Sequence, residues 1–188
     1  PGDKVNFPLI CNSEVWSSED GLEWTEEVAQ APWEGRHTAG YVVHDGRMWI
    51  VGGDCIGRHY QNDVWSSKDG VNWELVCERV PWAERVLHYT VAFAGKIWVM
   101  GGQTLPQFAP AEQVYHDDVW CSEDGANWTR VTEHAGWPQR GMIGGSVVLH
   151  DRMWVLGGGT YDTPTRPDRL FYNDVWSSAD GVKWDCVL

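Results

Sequence analysis

The sequence has 188 residues, 43 % of them hydrophobic, and a net charge of −13 spread along the chain. That length suits one globular domain, and the acidic field repels phosphate, which argues against nucleic acid or an anionic membrane as partner. No apolar run is long enough to cross a bilayer as a helix and no basic-then-apolar leader opens the chain, so it reads as soluble.

In chain order, residues 1–14 form an N-terminal segment in which "KVNFPLI" (4–10) offers a candidate strand. Residues 15–28 follow with Val15-Trp16-Ser17-Ser18, an Asp-Gly at 20–21 and Trp24. This motif returns as "DVWSSKDGVNW" at 63–73, from Asp118 to Trp128 and from Asp174 to Trp184, at intervals of 49, 55 and 56 residues. Between the copies lies a second unit, at Arg36–Gly53, Arg85–Gly102 and Arg140–Gly158, ending in "RMWIVGG", "KIWVMGG" and "RMWVLGG". Short apolar runs rich in Val, Ile and Trp between turn signals predict strands. Turns are expected at Asp45-Gly46, Ala94-Gly95 and Asp151-Arg152, and tight hairpins at the Asp-Gly pairs 20–21, 69–70, 124–125 and 180–181. Each period therefore holds four strands, giving an all-β chain divided as 15–28 (a half unit), 29–76, 77–131 and 132–188. The double glycines are expected to end each second strand, where a neighbour comes too close for a side chain.

All 14 Trp fall into repeated slots. Trp16, Trp65, Trp120 and Trp176 open the third strand; Trp24, Trp73, Trp128 and Trp184 lie on the fourth. Trp49, Trp98 and Trp154 lie on the second, and Trp33, Trp82 and Trp137 occupy the connection after the fourth. Such regularity points to packing between stacked sheets rather than to an aromatic ligand cage.

The combination of spaced arginine, apolar strand, double glycine, "D-V-W" and last-strand Trp resembles the kelch repeat, in three complete copies plus the latter half of a fourth. The resemblance implies a β-propeller of four-stranded antiparallel blades, about three and a half in this chain, with each first strand lining a central channel. Arg85 and His88 fit the family's Arg-x-x-His spacing; Arg36 is followed directly by His37, and Arg140 has Ile143 in the histidine's place. Kelch propellers close with more blades than this, so each end would leave an apolar face of three or four Trp, at ~150–250 Å² apiece. Covering one face is worth on the order of 10 kcal/mol before association costs. A second copy, or missing propeller blades, is therefore the expected partner.

The connections after the double glycines, 54–62, 103–117 and 159–173, are long and unlike one another. They carry Arg58, His59, Tyr60, Tyr115, His116, Tyr161, Arg166, Arg169 and Tyr172, the candidates for ligand or partner contact, since function gathers on loops above a rigid scaffold. Arg36, Arg85, His88 and Arg140 are channel-lining or structural; an arginine repeated in every unit favours pairing with backbone or a carboxylate. The "S-S-x-D-G-x-x-W" stretch resembles the sialidase Asp box, but its Asp directly precedes the Gly, and its oxygens lack the EF-hand's alternation. No Gly-x-Ser-x-Gly, His-Glu-x-x-His or phosphate-cradling loop occurs, and nothing draws His59, His116 and His134 together, so no metal or other cofactor is expected.

Five scattered cysteines without a Cys-x-x-Cys pair read as separate thiols, which leans toward a reducing, cytoplasmic compartment. The expected function is a binding or scaffold domain recognising a protein or glycan through its long loops. The alternatives are a carbohydrate-active enzyme of epimerase or mutarotase type, and a propeller fragment without activity of its own.

Overall fold

The computed structural model describes residues 11–188 apart from 57, 143 and 163–166. The strand expected at 4–10, Ile143 and the candidate Arg166 lie outside the described residues. The regular structure is entirely β, and among the described residues no helix is long and apolar enough to cross a membrane.

A hairpin of β1 (Val15–Ser17) and β2 (Thr25–Val28) is followed by three four-stranded antiparallel sheets, each threaded in sequence order. The first sheet is β3 (Gly40–His44), β4 (Arg47–Cys55), β5 (His59–Ser67) and β6 (Trp73–Cys77). The second opens with β7 (Tyr89–Phe93) and β8 (Lys96–Met100), continues through a small ribbon of β9 (Gln103–Thr104) and β10 (Val114–Tyr115), and closes with β11 (Val119–Ser122) and β12 (Thr129–Thr132). The third is β13 (Gly145–Leu149), β14 (Arg152–Thr160), β15 (Leu170–Ser178) and β16 (Asp185–Cys186). β7 lies against both β3 and β13, so the three sheets meet along their first strands.

The turns between first and second strands are two-residue hairpins with both central residues at positive φ, the geometry whose twist matches the flanking strands. Asp45 and Gly46 stand at φ 48° and 65°, Ala94 and Gly95 at 49° and 72°. In the third sheet the turn falls one residue earlier than the sequence predicts. Leu149 pairs with Arg152, which leaves His150 and Asp151 as the turn, at φ 50° and 53°. Asp151 thus fills the position held elsewhere by glycine, a substitution that its short polar side chain tolerates.

The Asp-Gly hairpins are also built differently from the expectation. In the first sheet five residues separate Ser67 from Trp73, and only Gly70, not Asp69, is left-handed. Asp69 instead works through its carboxylate: Oδ1 accepts the backbone N–H of Val71 at 2.9 Å and of Asn72 at 2.8 Å, while Ser67 Oγ accepts from Gly70 N at 2.9 Å. The same bonds recur at Asp124 and Asp180. Hydrogen bonds to the charged form, led at Asp69 by the Asn72 side-chain amide at 2.8 Å and at Asp124 and Asp180 by the backbone N–H groups, hold all three carboxyls below the usual carboxylate range.

The double glycines do not end the second strand in the first and third sheets; they bulge it. Pairing of β4 with β5 slips between Val51 and Gly53, and of β14 with β15 between Leu156 and Gly158. Gly52, Gly101 and Gly157 all stand near φ +60° (57°, 61° and 60°), and a Cβ at Gly102 would stand 3.0 Å from Val86 O. Left-handed backbone and close approach together demand glycine there.

Three apolar cores separate the layers. One joins Val15 and Val28 of the hairpin to Ile50 and Trp73. The second joins Trp49 and Val51 to Val80, Ile97 and Val99, and the third joins Trp98, Met100 and Val119 to Met153, Val155 and Trp184. The connection Trp are the wedges. Trp33 meets Trp73 edge-on with ring centroids 4.3 Å apart, Trp82 meets Trp128 at 4.2 Å, and Trp137 meets Trp184 at 4.4 Å. Trp16 and Trp24 of the hairpin are 47 % and 59 % exposed.

Successive sheets also interlock through the third-to-fourth-strand turns: a Cβ at Gly125 would stand 2.3 Å from the Trp49 ring. Gly125→Ala is therefore expected to cost about 3 kcal/mol, from left-handed strain plus overpacking. At Gly21, where φ is 75° and no described residue stands within 4 Å, the same change should cost only the ~1–2 kcal/mol of strain. Urea unfolding of the two variants measures the difference; equal losses would refute the close packing of Gly125.

Candidate functional site

At the end of each sheet where the long loops emerge, a buried arginine joins three chain segments. Arg36 Nε donates to Glu34 O at 3.2 Å and Nη1 to Gly52 O at 2.9 Å. Its Nη1 and Nη2 also reach Asp63 Oδ1 and Oδ2 at 2.7 and 3.1 Å. Arg85 repeats the set with Ala83 O, Gly101 O and Asp118; Arg140 does so with Pro138 O, Gly157 O and Asp174. The tryptophan two residues on completes each cluster, as Trp65 Nε1 donates to Asp63 Oδ2 at 2.7 Å. Burial pushes the Asp63 and Asp118 carboxyls up, but the paired guanidinium outweighs it and leaves both below the usual range; at Asp174 the bonds from Arg140 dominate outright. Every cluster satisfies its arginine internally, so these side chains set the loop roots.

Around the clusters sit polar groups with spare capacity. Gln103 is fully buried and neither atom of its amide has a partner among the described residues; Asp54 Oδ2 and His116 Nε2 are likewise unpartnered there. Asp54 Oδ1 meanwhile receives Thr38 Oγ1 at 2.9 Å and lies 3.1 Å from His37 Nδ1. His88 is buried with Nδ1 2.8 Å from Thr90 Oγ1. Burial, with the positive Arg85 nearby, drives the His88 imidazole down to about 3 and that of His116 to about 4, so both are neutral at physiological pH.

The loops themselves are cross-braced. Tyr60 is buried; its hydroxyl donates to Leu105 O and accepts from Leu105 N, both at 2.7 Å, clipping the first sheet to the loop of the second. Burial pushes its phenol up to about 12. Tyr115 donates to Tyr161 O at 3.1 Å, tying the second sheet's loop to the third. A row of rings runs across all three: His37 meets Phe108 with centroids 5.8 Å apart, Phe108 meets Tyr161 at 5.9 Å, and the Arg169 guanidinium lies 5.3 Å from the Tyr161 ring. Arg169 is also paired with Asp162.

Among the loop candidates, Tyr115, Tyr161 and Arg169 are thus brought together. Tyr172 turns inward, its ring 4.7 Å from the Arg140 guanidinium, and Tyr60 is an internal clip. Arg58 and His59 stand apart, exposed beside Glu34, with His59 Nε2 2.8 Å from Glu34 Oε2. Phe108, Asp54 and Gln103 escaped the sequence reading, which noted His37 only as a departure from the Arg-x-x-His spacing. The aromatic in "PQFAP" was the available signal for Phe108; for the arginine clusters it was the equal number of repeated Arg and Asp-Val-Trp motifs. The described residues contain no group of three metal-ligating side chains, and all five cysteines are free.

No protein-family model and no curated protein matches the chain. Among solved structures it is similar to that of YjhT, with a TM-score of 0.72 and 14 % identity over 93 % of this chain and 51 % of that one. The chain thus spans about half the length of YjhT, and the likeness is one of fold.

Two outcomes are expected for stability. Arg85→Ala leaves the largely buried Asp118 carboxylate without its guanidinium, with only the Trp120 bond remaining, and should cost about 3 kcal/mol in urea unfolding; a loss within 1 kcal/mol would refute the structural role. For pH, the folded imidazoles of His88 and His116 have depressed values, so between about 6.5 and about 4 the unfolded chain binds more protons than the folded one. Stability should therefore rise with pH across that window. Below pH about 4 protonation of Asp63, Asp118 and Asp174, whose folded values are also depressed, removes a further contribution. Unfolding midpoints measured from pH 4 to 7 should flatten in the His88→Gln/His116→Gln double variant.

Proposed function

We propose that the chain is a kelch-type β-propeller segment, three blades and the outer half of a fourth, that recognises a glycan through its long-loop face. The observation that carries this reading is the ring row of His37, Phe108 and Tyr161 with Arg169 and Asp162 beside it. Aromatic faces flanked by hydrogen-bonding groups suit the apolar face and hydroxyls of a sugar, and the unpartnered atoms of Gln103 and Asp54 add polar capacity at the loop roots. The repeated Arg–Asp clusters and double-glycine bulges support the kelch reading, as does the order of strands in each sheet. A protein ligand on the same face is the neighbouring possibility. The second reading, a mutarotase or epimerase, has less support, because burial and the nearby Arg85 hold the His88 and His116 imidazoles at about 3 and about 4, far from the near-neutral value that suits acid–base catalysis.

The test is binding to an array of neutral and anionic glycans. Phe108→Ala and Tyr161→Ala should each weaken the strongest interaction at least about tenfold, the range expected for an aromatic anchor, while Arg58→Ala leaves it unchanged. Absence of any glycan signal would overturn the reading. Catalysed anomer exchange by NMR, lost in His116→Gln, would replace it with the enzymatic one.

A further inference from the structure

Two of the Ser-x-Asp-Gly hairpins rest on the preceding sheet by a shared device. The turn glycine lies flat on the second-strand tryptophan: a Cβ at Gly125 would stand 2.3 Å from Trp49 and one at Gly181 2.2 Å from Trp98. Each tryptophan is fixed in turn by its indole N–H, which donates to the last residue of the first strand, His44 O at 2.9 Å or Phe93 O at 2.8 Å. Only glycine lets the turn come so close.

Among the described residues, one copy of each half is unmatched. At its start, the β1–β2 hairpin has the finished turn: Gly21 N donates to Ser18 Oγ at 2.7 Å, and Asp20 Oδ1 accepts from Leu22 N and Glu23 N. No described residue stands within 4 Å of the place where a Gly21 Cβ would be. At its end, Trp154 is held in the same way, donating to Leu149 O at 3.0 Å, and no described glycine has it among its close neighbours. Trp49 and Trp98 are 5 % exposed, whereas Trp154 is only half-buried. The surroundings agree, with Trp16 and Trp24 exposed on the hairpin and Val147 and Leu149 exposed beside the seat.

We propose that the Gly21 hairpin of one copy seats on Trp154 of a second copy, head to tail, reproducing the contacts at Gly125–Trp49 and Gly181–Trp98. The hairpin is already shaped by its own hydrogen bonds, so docking orders little. Such a contact is heterologous: it closes into a ring where the rotation permits and otherwise extends.

Light scattering behind size exclusion, over a range of micromolar concentrations, should give a mass at least twice the 21.3 kDa of one chain. Gly21→Asn tests the finger, because asparagine tolerates left-handed backbone and has room in the single chain, yet its Cβ would strike the indole. Trp154→Ala tests the seat. Either should weaken association at least about tenfold, with the urea midpoint of Gly21→Asn close to that of the parent. Mixing the two variants should restore a pair, since each retains the face the other has lost. A parent chain monomeric at every concentration would overturn the proposal, as would an oligomer that neither variant disturbs.

Discussion

A buried guanidinium needs a partner for nearly every N–H it brings into the protein, and this requirement organises each sheet. Arg36, Arg85 and Arg140 meet it with a bidentate carboxylate and two backbone carbonyls. One of those carbonyls belongs to the first residue of the double glycine, whose left-handed backbone bulges the second strand in the first and third sheets and follows its end in the second. The arginine therefore fixes three things together: the entry to the first strand, the bulge in the second and the start of the third. Desolvating the charge is expensive, and the paired carboxylate offsets that cost without necessarily exceeding it. Its clearest product is register, because the fixed fork of the guanidinium meets a carboxylate and two carbonyls from separate segments only in this alignment of the strands.

Once the roots of the loops are fixed, the loops can differ. The connection in the first sheet is short and carries Tyr60 inward as a clip. Those of the second and third are longer and are held by Tyr115 on Tyr161 O and by the Phe108–Tyr161 ring contact. Divergent sequences on identical roots thus produce one composite surface rather than three independent ones. Bracing of this kind lowers the entropy lost when a ligand is bound, since the rings are already in place.

The all-β architecture was legible because its signals are local and repeat: Trp in fixed slots, Val and Ile runs, Gly and Asp in the turns. The finer chemistry was less so. Asp69 reads like a left-handed turn residue, whereas its carboxylate caps two backbone N–H groups, a role that depends on where Ser67 and Gly70 lie. The turn at His150 and Asp151 was displaced by one residue because the register is set by the whole β13–β14 ladder. The candidate site was harder still. Tyr60 and Tyr161 look alike in sequence, and only contacts dozens of residues away make one a clip and the other part of an open surface.

The stacking of cores has a kinetic side. Each apolar layer is shared by two neighbours in sequence, hairpin with first sheet, first with second and second with third. Energetically this is a one-dimensional array, in which a unit inside the stack gains two interfaces and a unit at an end gains one. Among the described residues the β1–β2 hairpin has only two strands to contribute and keeps both its tryptophans exposed. In one chain taken alone its amide protons are expected to exchange first, a difference that docking on Trp154 of a second copy would narrow, while the second sheet, held on both faces, is the natural nucleus from which order spreads outward.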